Sequence, residues 1–435
     1  MCARSNRILC ASSTRSWAER TRIKTPNPNQ TEHLARSEFL PQERAPSGTS
    51  LYVHLPFCQA KCHYCDFFSL PAEGQDIGGT LDAIVAESAQ RSPRSPRTLF
   101  IGGGTPSLLS IAELRYLLDA LEEHTGFRAS SSETTLECNP ESLDRDKAAA
   151  LLDLGVTRLS IGFQSLDPKV LELFGRVHTT DQSLRAYDAA RQAGVRSLNI
   201  DMIFAAPGTE GSSWGTALGR VLDLEPEHLS AYNLAFEEDT VFSRWLDQGR
   251  IKRMGDDAEL ELLYQTRAAA RAAGLEPYEI SNFARAGEEC AHNLGYWANK
   301  SYVGIGPSAV SCVQGRRAGN AKALQTYRRR VGEGTGAEAW SEQLEGAARL
   351  GETWWLGLRT QRGVKPSEAR ETAGWQEHHD PAETRARALA GEGLLEESRG
   401  CFCLTEQSLA LADHISAEFL VAPPTPSRSS SLSAP

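Results

Sequence analysis

The stretch LYVHLPFCQAKCHYCDFFSL, residues 51–70, carries three cysteines, Cys58, Cys62 and Cys65, spaced CxxxCxxC just after an apolar run ending at Pro56. Gaps this short do not suit mutual disulfides, and thiolates prefer soft metals, so the triplet points to zinc or to an iron–sulfur cluster. Structural zinc normally takes four protein ligands, and His54 or His63 would have to complete a Cys3His site. A 4Fe-4S cluster held by three cysteines leaves one iron open to a small molecule. A fourth cysteine two residues later would change the count, but that place is Phe67.

These residues need a scaffold, and the chain from Leu51 onward supplies one. Apolar runs at 51–55, 98–103, 134–138, 158–163, 197–203 and 228–236 alternate with helical spacing such as IAELRYLLDALEEH. Strands that are apolar nearly throughout, separated by helices, predict a parallel sheet covered on both faces. Six units are too few for an eight-fold barrel, so the expected fold is α/β, a partial (β/α)6 TIM-like barrel. Polar and glycine residues gather at the carboxyl ends of these runs: Gly102 to Thr105, Glu137, Gln164 and Asp201. In parallel α/β folds ligands bind at that rim. FIGGGTPSLLS (100–110) lacks the Gly-Lys-Ser/Thr of a Walker loop; its glycines allow close backbone approach, and its N–H groups are expected to meet a carboxylate or phosphate.

The bulk properties narrow the field. Net charge is −10 over 435 residues, which argues against nucleic-acid or anionic-membrane partners, and no run of ~18 apolar residues exists to span a bilayer. Ten scattered cysteines in a chain this long fit reduced thiols in a cytosol-like compartment. Residues 1–48 are rich in Arg and Ser with no acid before Glu19, the composition of a transit peptide or of a disordered bacterial extension. The expected location is therefore cytoplasmic, with the mitochondrial matrix as the alternative. The core is expected over 49–335, a small winged-helix-like α+β domain over 340–422, and a disordered tail over 423–435.

CxxxCxxC followed by an aromatic is a specific signature, and the chain resembles radical S-adenosylmethionine (SAM) enzymes. That resemblance implies a 4Fe-4S cluster whose open iron is chelated by SAM, and a 5′-deoxyadenosyl radical on reductive cleavage. It assigns Gly103, Gly104 and Thr105 to the methionine end of SAM. It places Tyr52, Glu137, Gln164, Arg176 and Asp201 where the coproporphyrinogen dehydrogenase-like branch contacts SAM, with Ala235 and Val310 as apolar walls. The dehydrogenases of that branch carry the further cysteine that is Phe67 here. CDF, GRVH (175–178), YEISNFA (278–284) and HNLGYW (292–297) are instead similar to the haem chaperone subgroup HemW, from about residue 50 to 420, including a HemN-type C-terminal domain. Val310 departs from this pattern, since HemW relatives often have a histidine in that segment and the dehydrogenases an aliphatic residue.

The resemblance implies a haem chaperone that passes haem to an acceptor protein. Its other partners would be an electron donor such as a ferredoxin or flavodoxin and, in a homodimer, a second copy. The alternatives are an oxygen-independent coproporphyrinogen III oxidase and, from another class, a zinc-binding structural protein, so enzymatic activity stays open. Imidazole is a common axial ligand of haem iron, and Tyr296 and Trp297 offer flat apolar surface, so His292 is a haem-ligand candidate beside His54, His178 and Cys290. The bland reading of HNLGYW is a histidine bonded within a core. No CxxCH motif supports thioether attachment.

Overall fold

A computed structural model describes residues 48–420 except 210 and 378; the targeting-like segment and the tail fall largely outside the described residues. The chain divides into two compact units, with the break between Gln343 and Leu344. Among the described residues no helix is long and apolar enough to cross a membrane.

In the first unit six parallel strands follow in chain order: β1 (Ser50–Leu55), β2 (Thr98–Gly103), β3 (Glu133–Cys138), β4 (Arg158–Gln164), β5 (Ser197–Phe204) and β6 (His228–Asn233). These are the runs expected from the sequence, joined by helices such as Ile111–Thr125, and they make the partial (β/α)6 barrel. That helix begins at a Ser110–Glu113 capping box and ends at Gly126 in the left-handed conformation, so both of its ends are set locally. A seventh parallel strand, β7 (Tyr302–Ile305), pairs with the other edge of β1, Leu51 opposite Val303. The sheet continues from it through antiparallel strands Val310–Val313, Arg316–Asn320 and Glu338–Gln343. Beyond β6 it ends in two short antiparallel strands, Asn282–Ala284 and Glu276–Pro277.

The strands are not apolar throughout. Leu51, Val53 and Leu55 pack with helix residues such as Leu81, Ile84 and Leu117, as do Leu136, Leu159 and Ile161. The residues between them point to the other face, because side chains alternate along a strand. That face is largely polar: Ser50 and His54, Glu133 and Glu137, Arg158 and Ser160, Asn199 and Asp201, His228 and Ser230. Glu137, Ser160, Asn199 and His228 stand in register across four strands. Buried polar groups must be paired, and here they pair with one another: His228 bridges Asn199 (2.6 Å) and the Tyr278 hydroxyl (2.8 Å).

The second unit packs helices Gly346–Gly357, Pro366–Ala373 and Pro381–Gly391 with a hairpin, Leu395–Ser398 and Cys401–Leu404. Trp354, fully buried, lies parallel to Phe419 with ring centres 5.1 Å apart and contacts Phe402 of the hairpin. Val364 bridges to Phe402, which gives the hairpin a third short partner, as in winged-helix folds.

Candidate metal and cofactor site

The cysteine loop leaves the carboxyl end of β1 and is tied down along its length. The Leu70 amide donates to the Pro56 carbonyl (2.7 Å) and the Ala72 amide to Cys58 (2.8 Å). His63 is held on both sides, its amide donating to Phe174 (2.9 Å) and its carbonyl accepting from Phe242 (3.0 Å). Cys58, Cys62 and Cys65 are free and half-buried. Burial, with the neighbouring Cys62, pushes the Cys65 thiol up to about 12; burial also raises Cys58, which Thr105 and Ser69 partly offset. Thiols that resist ionising side by side suit a cationic iron–sulfur core, whose charge would favour the thiolates.

The donor set fits a cluster held by three protein ligands. His54 is committed elsewhere, with Nδ1 bonded to the Tyr52 hydroxyl (2.9 Å) and Nε2 to the Phe68 carbonyl (2.8 Å). Burial lowers its pKa to about 4, so it is neutral at pH 7. His63 turns away to the Leu173 carbonyl (2.8 Å) and the Trp245 ring. Among the described residues no three His, Cys, Asp or Glu side chains converge as the ligands of one metal ion do. Arg176 Nη1 donates to the Cys62 sulfur at 3.4 Å, while its Nη2 reaches Asn139 Oδ1 (2.8 Å) and the Gly162 carbonyl (3.1 Å).

Next to this loop lies the glycine turn after β2. A Cβ at Gly104 would come within 2.6 Å of the Phe57 carbonyl oxygen, so only glycine fits there. The N–H groups of the turn do not await an anion, as the sequence suggests. Gly104 donates to Leu55 (2.7 Å), Thr105 to Phe57 (2.7 Å), and Gly103 to Glu137 Oε2 (3.0 Å). The other Glu137 oxygen, Oε1, is buried with no partner. Burial and the nearby Asp201 raise the Glu137 carboxyl to about 7, against the opposing Gly103 bond. Asp201 is also raised, chiefly by burial, and is bonded to Ser160 (2.9 Å) and Asn199 (2.8 Å). An unpartnered buried acceptor beside the cysteine loop is what a ligand with vicinal hydroxyls would satisfy.

The remaining expected residues divide. Tyr52 is buried with Phe100, Cys290 and Ala309, and Ala309 places Val310 at the edge of the same region. Gln164 ends β4 with φ +65°, a left-handed conformation that a non-glycine residue seldom adopts, and its side chain crowds Gly162. Ala235 follows β6 and is half-buried. Asn139, which links Arg176 to Thr105 through its amide (3.0 Å), escapes the sequence reading. Its signal was the run ECNP, directly after Glu137.

His292 adjoins the Tyr52 cluster, with its ring centre 5.1 Å from that of Phe100. It is 1% exposed, with Nδ1 bonded to Thr98 at the amino end of β2 (2.8 Å) and Nε2 to Tyr296 (3.0 Å). The carboxylate of Glu133, which opens β3, accepts from the Ala291 and His292 amides and thereby caps the helix Ala291–Trp297. Burial lowers the His292 pKa to about 3. Both ring nitrogens are hydrogen-bonded within the protein, to Thr98 and Tyr296. Cys290 shares that place, its sulfur 3.3 Å from Glu133. His178 is buried as well, with Nε2 at the Phe163 carbonyl and Nδ1 near Glu141.

The model for the radical SAM superfamily matches residues 52–217. A Bacillus subtilis protein named heme chaperone HemW is 32% identical over 375 residues, covering 85% of this chain and 99% of its own length. The chain belongs to the HemW family. A HemW of Mycobacterium tuberculosis H37Rv is 33% identical over 375 residues, covering 84% of this chain and 93% of that one. Among solved structures, the coproporphyrinogen III oxidase HemN of Escherichia coli, described as a radical SAM enzyme, superposes with a TM-score of 0.73 at 25% identity, over 87% of this chain and 91% of that one. Membership of this HemW branch of the superfamily implies a 4Fe-4S cluster and SAM, and the three-cysteine loop and the unpartnered Glu137 oxygen fit both.

Proposed function

We propose that this chain is a haem chaperone, binding haem and passing it to an acceptor protein. In this reading Cys58, Cys62 and Cys65 hold the cluster, and SAM is exchangeable at the open iron. The observation that carries it is the near full-length relation to HemW proteins in a chain whose residue two beyond Cys65 is Phe67 and not a cysteine.

When bound, the cluster and SAM supply one-electron chemistry at a sulfonium; the residues of this chain do the positioning. Glu137 Oε1 accepts from a ribose hydroxyl. With its amides engaged, the glycine turn offers carbonyl oxygens to an ammonium group, and Arg176 pairs with a carboxylate. Tyr52, Gln164, Asp201, Ala235 and Val310 complete the pocket walls. An electron donor such as a ferredoxin or flavodoxin, a cytoplasmic location and a homodimer belong to the same proposal, with the mitochondrial matrix as the alternative location.

A second reading, coproporphyrinogen III oxidation, is favoured by the likeness to HemN and by the aliphatic Val310. Incubating the anaerobically reconstituted protein with coproporphyrinogen III, SAM and a reductant separates the two. No protoporphyrinogen is expected; repeated turnovers would support the oxidase and overturn the chaperone.

A further inference from the structure

On the polar face of the barrel, Glu133 and Glu137 lie on β3, Asp201 on β5, and Arg158 on the strand between them. Side chains alternate, so Glu133, Thr135 and Glu137 share this face with Arg158 and Ser160. Ser160 stands opposite Glu137, and Arg158 stands opposite Thr135, one side-chain row nearer the amino end. Asp201 is tied to the same face by Ser160 (2.9 Å) and Asn199 (2.8 Å). Arg158 is 4% exposed, and its Nε is buried with no hydrogen-bond partner. A cation buried in this way is costly unless neighbouring negative charge offsets the lost hydration. Burial works against its charge, but Cys290, Glu133, Tyr278 and Asp201 together outweigh that and raise it above the ordinary range. Arg158 acts back on the carboxylates: burial raises both Glu137 and Asp201, and Arg158 opposes the rise in each.

The other titratable groups of this face do not supply a cation. Burial pushes Tyr52 and Tyr278 well above their ordinary range and His54 and His228 below theirs, so all four are neutral at pH 7. Burial also raises Tyr232, and it lifts the Cys290 thiol to about 12. Glu133 is engaged by the Ala291 and His292 amides, and Glu279 by the Ile280 and Ser281 amides and Asn282. Arg176, at the rim, is bonded to Cys62, Asn139 and the Gly162 carbonyl. Among these groups Arg158 is the cation that faces Glu137 and Asp201 from inside the barrel.

We propose that Arg158 is a positioning residue of the SAM site, the internal counter-cation of the Glu137 and Asp201 carboxylates. It acts through those carboxylates and not on the ligand itself. This rests on the reading of Glu137 and Asp201 as SAM contacts. The test is equilibrium dialysis of SAM against the anaerobic, cluster-loaded full chain from about pH 6 to about pH 9, with iron and sulfide content and thermal melts in parallel. Arg158→Gln should keep its cluster and move the midpoint of the affinity rise up by about one pH unit, which weakens binding at pH 7 about five-fold. Arg158→Lys, which keeps the charge, should hold the wild-type midpoint, whereas loss of packing alone would weaken both variants equally at every pH. An unmoved midpoint in Arg158→Gln, or an equal shift in Arg158→Lys, would overturn the assignment and leave the SAM site intact. Should Arg158→Gln fail to fold, adding Asp201→Asn, which removes one of the charges left unbalanced, should recover a folded, cluster-loaded chain; no recovery would also overturn it. A cluster-loaded wild type that binds no SAM would overturn the SAM site, and the role of Arg158 with it.

Discussion

Glu137 accepts the Gly103 amide with one carboxylate oxygen, at 3.0 Å, and keeps the other buried and unpartnered. This pairing joins the end of β3 to the glycine turn after β2. It creates an acceptor that only a ligand or a proton can satisfy.

The Glu137 carboxyl lies near 7 instead of its ordinary 4.5, because burial disfavours the charge. Folding therefore favours its protonated form. Its contribution to stability is complete below pH 4.5 and is lost as pH rises through about 7. Ribose recognition needs the carboxylate, so SAM affinity should rise about ten-fold from pH 6 to pH 8. In Glu137→Gln, whose amide does not titrate, equilibrium dialysis of SAM should show no such slope. An unchanged slope would assign the titration to another group.

Cys62 accepts a hydrogen bond from Arg176. Cys62→Ala should abolish cluster assembly, measured as iron and sulfide content. Arg176→Met should assemble the cluster but lower its reduction potential by on the order of 60 mV, since hydrogen bonds and positive charge near the sulfurs favour the reduced state. Potentiometry followed by electron paramagnetic resonance measures the shift.

His292→Ala should weaken hemin binding if HNLGYW is part of the haem pocket, and should cost about 2–4 kcal/mol of stability, because it opens a cavity and strands the Thr98 and Tyr296 hydroxyls. An unchanged hemin titration of the folded variant would make HNLGYW a purely structural motif.

Gly104→Ala drives a Cβ into the backbone carbonyls of Phe57 and Leu55, which cannot yield without moving the cysteine loop. It should cost about 1–3 kcal/mol and reduce cluster content. Gly215→Ala, where nothing lies within 4 Å, should be neutral or mildly stabilising in the same thermal melts.

The six barrel strands are legible in the sequence because the helix-facing row of each is apolar. Thr135, Ser160 and Gly162 are small enough to pass within an apolar run, which is why the polar second face goes unseen there. β7 escapes because YVGI is short and its pairing with β1 spans some 250 residues. Cys58, Cys62 and Cys65 are readable from spacing alone. The hydrogen-bond partners of His292 are not legible, because a motif shows residue types, whereas the partners of its nitrogens come from β2 and from its own helix. The satisfied amides of the glycine turn are hidden for the same reason, since Leu55 and Glu137 reach it only in the folded sheet.

The most direct measurement is transfer: anaerobic, cluster-loaded protein is charged with hemin, freed of excess, and mixed with an apo-haemoprotein. The expected result is stoichiometric binding, then appearance of the acceptor's holo spectrum faster than from free hemin at equal concentration. Failure to bind hemin, or release no faster than free hemin supplies it, would contradict a haem-delivering function.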